Sequence, residues 1–360
     1  MNLTRRLVGC IVAREQFKLM PRALRVQFPG AVYHLMARGN QGQAVFRDDR
    51  DRKGFLATLE EACAKTGWIV HAYVLMGNHY HLLVQTPEAN LVAGMKWLQG
   101  TYTQRFNRRH GIFGHLFQGR YKALVVEAEN AGYWEVVSTY IHLNPARAGL
   151  IKIGRQRLDT YRWSSYPFYT GRAKPVPAWL RRERVMGSLG LGQGDGRGYA
   201  AYLEGRVLEL GMKAGRKELE EKWRQLRRGW CAGGRAFAES LRQELERAVR
   251  GRRRDSQGGG ARRQHDEQSA ERRVRAGLKA LGLEEEDLAR LRKGAPEKMA
   301  LAAWLRGATT VPLEWVSRRL TMGHPGNVSQ GSRKLGPGDR RKFEAAQSKL
   351  KRLCVAEENT

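Results

Sequence analysis

The sequence lacks paired cysteines, long apolar runs and a balance of charge. Its few cysteines stand far apart, at Cys10, Cys63, Cys231 and Cys354. Neither a disulfide framework nor a Cys-x-x-Cys zinc module is therefore expected, and a reducing cytoplasm fits best. No stretch approaches the roughly 20 apolar residues of a membrane-spanning helix, so we expect no membrane partner.

Acidic residues are scarce relative to basic ones. The 360 residues include 65 Lys+Arg and 35 Asp+Glu, which gives a formal net charge of +30. Such a surplus attracts polyanions, and this favours nucleic acid as the partner over a small metabolite. With 41% hydrophobic residues the chain has enough apolar surface to build cores, so a fully disordered protein is not expected.

The best-patterned zone, residues 22–172, alternates strand and helix signals. Strands are predicted at 31–37, 68–76, 79–85 and 117–126, and helices at 48–66, 90–110 and 131–143, the last ending at Asn144-Pro145. Gly77-Asn78, between the second and third strands, is typical of a hairpin. The order βαββαβ followed by a helix predicts an α+β protein with a ferredoxin-like sheet.

Three further zones follow in the sequence. We predict a helical extension at 173–250, a basic flexible linker at 251–276 and a helical DNA-binding domain at 277–353. Within the last zone, a short helix, a turn and a polar helix beginning at Asn327 form the pattern that a major-groove reader needs. Its candidate DNA contacts are Asn327, Ser329, Gln330, Arg333 and Lys334.

Two histidines occupy alternate positions of the third strand. His79 and His81 therefore point to the same face, about 7 Å apart, where two imidazoles can converge on one metal ion. Taken alone, this pair is better explained by chance or packing than by metal binding. The other histidines, His34 among them, are interpreted as partly buried strand or loop residues.

A tyrosine and an asparagine share one face of the last helix of this zone. Tyr140 and Asn144 are four residues apart, so they present a phenol and an amide oxygen together. An oxygen donor would complete a two-histidine site for a hard divalent ion such as Mg²⁺ or Mn²⁺. Alternatively, Tyr140 is a core aromatic, with Tyr133 and Tyr121 competing for its role. His142 points the other way and is expected to be structural.

Several segments resemble known DNA-cutting enzymes. His79-Tyr80-His81 is similar to the His-hydrophobic-His signature of HUH single-strand endonucleases, and residues 140–149 resemble the catalytic helix of single-tyrosine transposases. Residues 117–122 and 163–166 resemble segments of the REP-associated tyrosine transposases. The resemblance to that family covers residues 22–172, and the last zone resembles the helix-turn-helix of the replication initiator DnaA.

The resemblance implies a metal-dependent DNA transposase. Tyr140 would attack a DNA phosphate and form a 5′-phosphotyrosine with a free 3′-OH, while His79, His81 and Asn144 hold Mg²⁺ or Mn²⁺. A phenol has an ordinary pKa near 10, so a nearby cation is needed at neutral pH. The implied substrate is single-stranded DNA near a hairpin, a repetitive extragenic palindrome.

The expected DNA surface is basic. Its candidate residues are Arg38, Arg105, Arg108, Arg120 and Lys122, with Tyr80 or Tyr121 stacking on an unpaired base. Duplex DNA is a further candidate partner through the last domain. Either a monomer or a homodimer suits a single nucleophile, and we expect a cytoplasmic, nucleoid-associated protein. The alternatives are a catalytically silent DNA-binding regulator and an RNA-binding protein on the same fold.

Overall fold

The computed structural model of the chain describes residues 26–249, 260–330 and 335–357. These residues form two compact units, which divide between residues 251 and 252. The first unit carries a sheet, and the described part of the second is helical. No helix within these stretches combines the length and the apolar content needed to cross a bilayer.

The first unit begins with the predicted alternation of strands and helices. Its elements are β1 (Ala31–Arg38), α1 (Asp49–Thr66), β2 (Ile69–Leu75), β3 (His79–Thr86), α2 (Leu91–His110), β4 (Lys122–Val126), α3 (Ala131–Arg147), α4 (Tyr166–Tyr169), α5 (Glu183–Ser188), α6 (Gly196–Gly211), α7 (Lys213–Arg228), β5 (Cys231–Ala232) and α8 (Arg235–Val249). Local chemistry sets several ends. The Asp48 carboxylate accepts a hydrogen bond from the Asp51 amide at the start of α1, and Gly67 ends that helix in the left-handed conformation.

The sheet has the order β2-β3-β1-β4-β5. Each pair among the first four strands is antiparallel, which is the ferredoxin-like arrangement, so the predicted fold class is confirmed. The two residues of β5 add a parallel edge strand to β4. β5 lies inside the predicted helical extension. The sequence did not predict this strand, because two residues are too few to show an alternation of apolar and polar side chains.

The two faces of the sheet contribute to different cores. Tyr33, Leu35 and Leu82 pack with α1 and α2 on one face. Val32 and Leu83 pack with α3, α6 and α7 on the other. Because side chains alternate along a strand, this division fixes which face each functional residue occupies.

Helix α3 does not end where the sequence predicts. It runs through Pro145 to Arg147, three residues past the expected end at Asn144. A proline inside a helix removes one backbone hydrogen bond, which usually ends the helix. Here Leu143, Pro145 and Ala146 are all buried, and this packing offsets the lost bond. As a result, Asn144 stays helical, one turn after Tyr140.

The second unit is built from helices. They are α9 (Gly260–Leu281), α10 (Asp287–Arg290), α11 (Pro296–Ala308), α12 (Leu313–Arg319), α13 (Pro325–Gln330) and α14 (Pro337–Glu357). The flexible linker predicted over 251–276 is therefore wrong from residue 260 onward. Ala270, Val274 and Leu278 lie four residues apart and are buried in the core of this unit, and this apolar stripe holds α9 in place.

Candidate active site

The two histidines of β3 lie next to each other on the face of the sheet that α3 covers. His79 pairs in register with Arg38 of β1, and His81 with Met36. The centres of the two imidazole rings are 5.2 Å apart. His81 is buried, whereas His79 is only partly covered.

Helix α3 brings Tyr140 and Asn144 against these histidines. The ring centres of Tyr140 and His81 are 5.3 Å apart, and the Asn144 side chain lies close enough to His79 to influence its pKa. Asn144 also donates to the Tyr140 carbonyl oxygen at 3.4 Å. The structure thus brings all four residues of the predicted nucleophile and metal set into one cluster.

Burial keeps the histidines of this cluster uncharged. It lowers the pKa of His81 well below the ordinary value, and the neighbouring histidines and Arg147 lower it further. Burial also lowers the pKa of His79, and the nearby Asn144 side chain partly offsets this effect. In His34, burial and then the charge of Lys122 lower the pKa to about 3. Neutral imidazole is the form of histidine that binds metal ions.

The two histidines of the cluster form a site for a divalent cation only together with the amide of Asn144. Among the described residues, no group of three or more His, Cys, Asp or Glu side chains could hold a metal ion. His79 and His81 supply two nitrogen donors, and Asn144 adds an amide oxygen in contact with His79. With three protein donors, such a site leaves further positions for phosphate oxygens and water.

Helix α7 covers the tyrosine. Tyr140 is only 3% exposed, and the Trp223 ring lies 5.5 Å from its ring. The Arg147 guanidinium sits 5.8 Å from the centre of the same ring and is bonded through Nε to Glu220 of α7 at 2.5 Å. No local pattern in the sequence connected α7 with the site, because the contact depends on how distant helices pack.

The two tyrosines expected to stack on a DNA base face the other side of the sheet. Tyr80 and Tyr121 lie in the core formed with α1 and α2, away from His79 and His81. Tyr80 is fully buried, and its hydroxyl accepts a hydrogen bond from Gln99 Nε2 at 3.0 Å. The prediction that either ring stacks on a DNA base is therefore wrong, since neither has an open face.

His142 has the structural role that was expected for it. Its Nδ1 lies 2.7 Å from the Tyr199 hydroxyl, and its Nε2 lies 2.7 Å from Ser165 Oγ. Ser165 in turn bonds to Tyr73 of β2 through both its amide and its hydroxyl. The motif at 163–166 thus ties a loop to the sheet behind α3.

The predicted DNA contacts of the first unit differ in their surroundings. Arg38 is exposed at the end of β1 beside His79, and Lys122, at the start of β4, pairs in register with Met36. Arg108 and Arg120 are exposed. Arg105 instead forms two bonds with the Glu61 carboxylate, at 2.7 and 3.0 Å, so its guanidinium is already engaged.

The predicted contacts of the second unit are only partly described. Arg333 and Lys334 lie outside the described residues. In α13, Asn327 Nδ2 donates to the Met322 carbonyl at 2.8 Å, and Ser329 Oγ donates to the Gly326 carbonyl at 3.1 Å. Gln330 is exposed. The helix predicted from Asn327 begins two residues earlier, at Pro325.

Comparison with known proteins gives a family match within the first unit. Residues 27–144 match the family model described as "Transposase IS200 like". A solved structure of a REP-associated tyrosine transposase bound to a REP hairpin is 15% identical, with a TM-score of 0.36, and the alignment covers 45% of this chain and 98% of that one. No curated protein matches the chain. Residues 27–144, which include the clustered His79, His81, Tyr140 and Asn144, are therefore similar to the IS200-like transposase family.

Proposed function

We propose that this protein is a transposase that acts as a metal-dependent single-strand DNA endonuclease and strand transferase, with Tyr140 as its nucleophile. The observation that carries the proposal is the position of Tyr140, whose ring lies 5.3 Å from that of His81. His79 and Asn144 complete the same cluster. Core packing alone does not require two histidines, a phenol and an amide at one point.

His79, His81 and Asn144 would hold the cation, Mg²⁺ or Mn²⁺. When bound, the cation supplies positive charge that stabilises the negative charge developing on the scissile phosphate. The protein's own part is to keep both imidazoles neutral through burial and to hold the Asn144 amide near His79.

The chemical step is a transesterification. The Tyr140 oxygen bonds to phosphorus, the bond from phosphorus to the 3′ oxygen breaks, the phenol loses its proton to solvent and the 3′ oxygen gains one. The 5′-phosphotyrosine keeps the energy of the phosphodiester bond, so a 3′-OH can later attack it and rejoin strands without ATP. Arg147, which lies over the Tyr140 ring, is placed to orient the phenol.

The substrate we propose is single-stranded DNA next to a hairpin, in keeping with the family of the domain. Arg38 and Lys122 lie on the strands that flank the histidine cluster, where they would bind phosphates. Arg108 and Arg120 would extend this basic surface. Arg105 is left out because Glu61 already neutralises it.

A covalent adduct tests the proposal. A labelled single-stranded hairpin incubated with the full chain and Mn²⁺ should yield a protein–DNA band that resists denaturation. Tyr140→Phe and EDTA should each abolish the band, whereas Tyr133→Phe, on the same helix, should keep it. A band that persists in Tyr140→Phe would overturn the role of Tyr140. Tight binding of the hairpin without any adduct would favour a silent regulator instead.

We further propose that the second unit binds duplex DNA through α12 and α13. The support is the short helix, turn and polar helix that end at the exposed Gln330. The full chain should enrich a defined duplex from a random pool, and Asn327→Ala with Gln330→Ala should weaken that binding, while Gln347→Ala on α14 should not. Failure to enrich any duplex would remove this proposal.

A further inference from the structure

His34 is a buried histidine beside the proposed cation site. The proposed mechanism gives this residue no role. It is fully buried on β1, and its Nε2 lies 3.0 Å from His81 Nδ1. The two rings are stacked at 28°, with centres 5.1 Å apart. Within the described part of the chain, nothing forms a hydrogen bond with His34 Nδ1.

The contact between His34 and His81 decides which nitrogen of His81 keeps its lone pair. Two neutral rings share the contact, so one hydrogen lies between them. If His81 Nδ1–H donates, His81 Nε2 has a lone pair for a metal ion. If His34 donates instead, the hydrogen of His81 is on Nε2 and blocks that atom.

His79 has a comparable partner with only one possible polarity. Its Nδ1 lies 2.8 Å from Asn78 Oδ1, and Asn78 Nδ2 donates to the Gly42 carbonyl at 3.1 Å. The amide nitrogen is thus committed to Gly42, so its oxygen faces His79 and can only accept. The hydrogen of His79 must therefore be on Nδ1, which leaves Nε2 for a ligand.

We propose that His34 and Asn78 are positioning residues which accept hydrogen bonds from Nδ1 of His81 and His79 and so direct both Nε2 atoms to one divalent cation. This inference rests on the proposed function, because it concerns the same cation. It assigns His34 the role of an acceptor, with its own hydrogen on Nδ1. Such outer hydrogen bonds orient a ligand ring and fix its tautomer.

Metal affinity, measured without DNA, provides the first test. The affinity of the full chain for Mn²⁺ can be measured from the electron paramagnetic resonance signal of free Mn²⁺. This affinity should fall about 10- to 100-fold in His34→Phe and in Asn78→Ala. Asn78→Asp and His34→Gln keep an accepting oxygen and should retain most of the affinity. His71→Phe is the matched control, since His71 is a buried histidine of β2 whose nitrogens bond to Arg181 and Gln85.

The wild-type protein provides a second test that does not depend on a variant folding. Nitrogen chemical shifts of ¹⁵N-labelled histidines, recorded with Mg²⁺ bound, should show His81 and His79 both protonated at Nδ1. Either ring protonated at Nε2 in the metal-bound protein would overturn the inference.

The outcomes separate the inference from the function it rests on. If the wild type binds Mn²⁺ no better than a variant without His79 and His81, the proposed cation site fails and the inference fails with it. If the wild type binds but His34→Phe and Asn78→Ala bind equally well, only the inference fails.

Discussion

Burial keeps several histidine side chains of this protein uncharged, although their surroundings differ. His142 and His71 do not belong to the proposed cation site, and each has a polar atom within hydrogen-bonding distance of both ring nitrogens. Burial lowers their pKa values from 6.5 to about 3 and about 4 respectively. Protonating either ring in the folded protein would place a charge in a hydrogen-bonded core.

The stability of the first unit should therefore fall in acid. Below pH 6.5 the unfolded chain takes up protons at His142 and His71 that the folded chain does not, so the free energy of unfolding decreases as the pH falls toward about 4. Between about pH 6.5 and pH 4, each histidine lowers the free energy of unfolding by up to about 1.4 kcal/mol per pH unit. Urea unfolding at a series of pH values measures the slope.

A variant isolates one histidine in this experiment. His142→Phe should lower stability at pH 7, because it leaves the Tyr199 and Ser165 hydroxyls short of a partner, and it should reduce the pH slope by about one proton. His115→Phe, at an exposed position, should change neither quantity. An unchanged slope in His142→Phe would contradict the assignment of the proton to His142.

The residues of the proposed site could be predicted from spacing within single strands and helices. The contacts that support them could not, because they join different elements. Alternation along β3 placed His79 and His81 on one face, and the helical repeat placed Asn144 beside Tyr140. His34 belongs to β1, and its contact with His81 depends on the register between two strands. A lone histidine on a buried strand gives no sign of that register, so it was interpreted as a packing residue.

At the scale of elements, α7 covers Tyr140, the proposed nucleophile. Trp223 packs on Tyr140, and Glu220 holds Arg147 beside it. Glu220→Gln should loosen α7 and raise the rate of covalent adduct formation about two- to five-fold, since a partly exposed ion pair contributes up to about 1 kcal/mol. Time courses of the adduct with the labelled hairpin measure this rate.

The same helix offers a matched control. Glu221 forms an ion pair with Arg224, whereas Arg147 pairs with Glu220, so Glu221→Gln should leave the rate unchanged. Hydrogen exchange of the α7 amides should rise in Glu220→Gln only. Equal adduct rates in the two variants would show that the ion pair does not hold the helix over Tyr140.

Elements that the sequence misplaced were decided by tertiary packing. The strands and helices up to residue 126 were recognised because their apolar periods and caps are local, although β4 begins at Lys122 and not at the predicted residue 117. Helix α3 passes Pro145 because neighbouring residues are buried, and β5 exists because the edge of β4 accepts it. Helix α9 has a sparse apolar stripe among many arginines, a composition that otherwise favours a flexible linker.

For the whole molecule, the net charge of +30 predicts binding to DNA that depends steeply on salt. Each phosphate contact on a single strand lowers the slope of log affinity against log salt concentration by about 0.7. If Arg108 and Arg120 each bind one phosphate, replacing both by serine should make the slope shallower by about 1.4. Fluorescence anisotropy of the labelled hairpin at several salt concentrations measures it.

Arg105 serves as the control for this measurement. Its guanidinium is bonded to Glu61, so Arg105→Ser should leave the salt slope unchanged even though it removes a positive charge. A slope that changes equally in Arg105→Ser would mean that general charge, rather than particular arginines, governs the interaction.

The attachment of β5 to β4 has a consequence for the fate of the cut strand. Helix α7 follows α6, which packs beside α3, and leads directly into β5, so it is fastened at both ends. If α7 moves aside to admit DNA, its two attached ends would return it to the same position. Once back in place over a phosphotyrosine, it would keep water from hydrolysing the bond until a 3′-OH arrives to rejoin the strand.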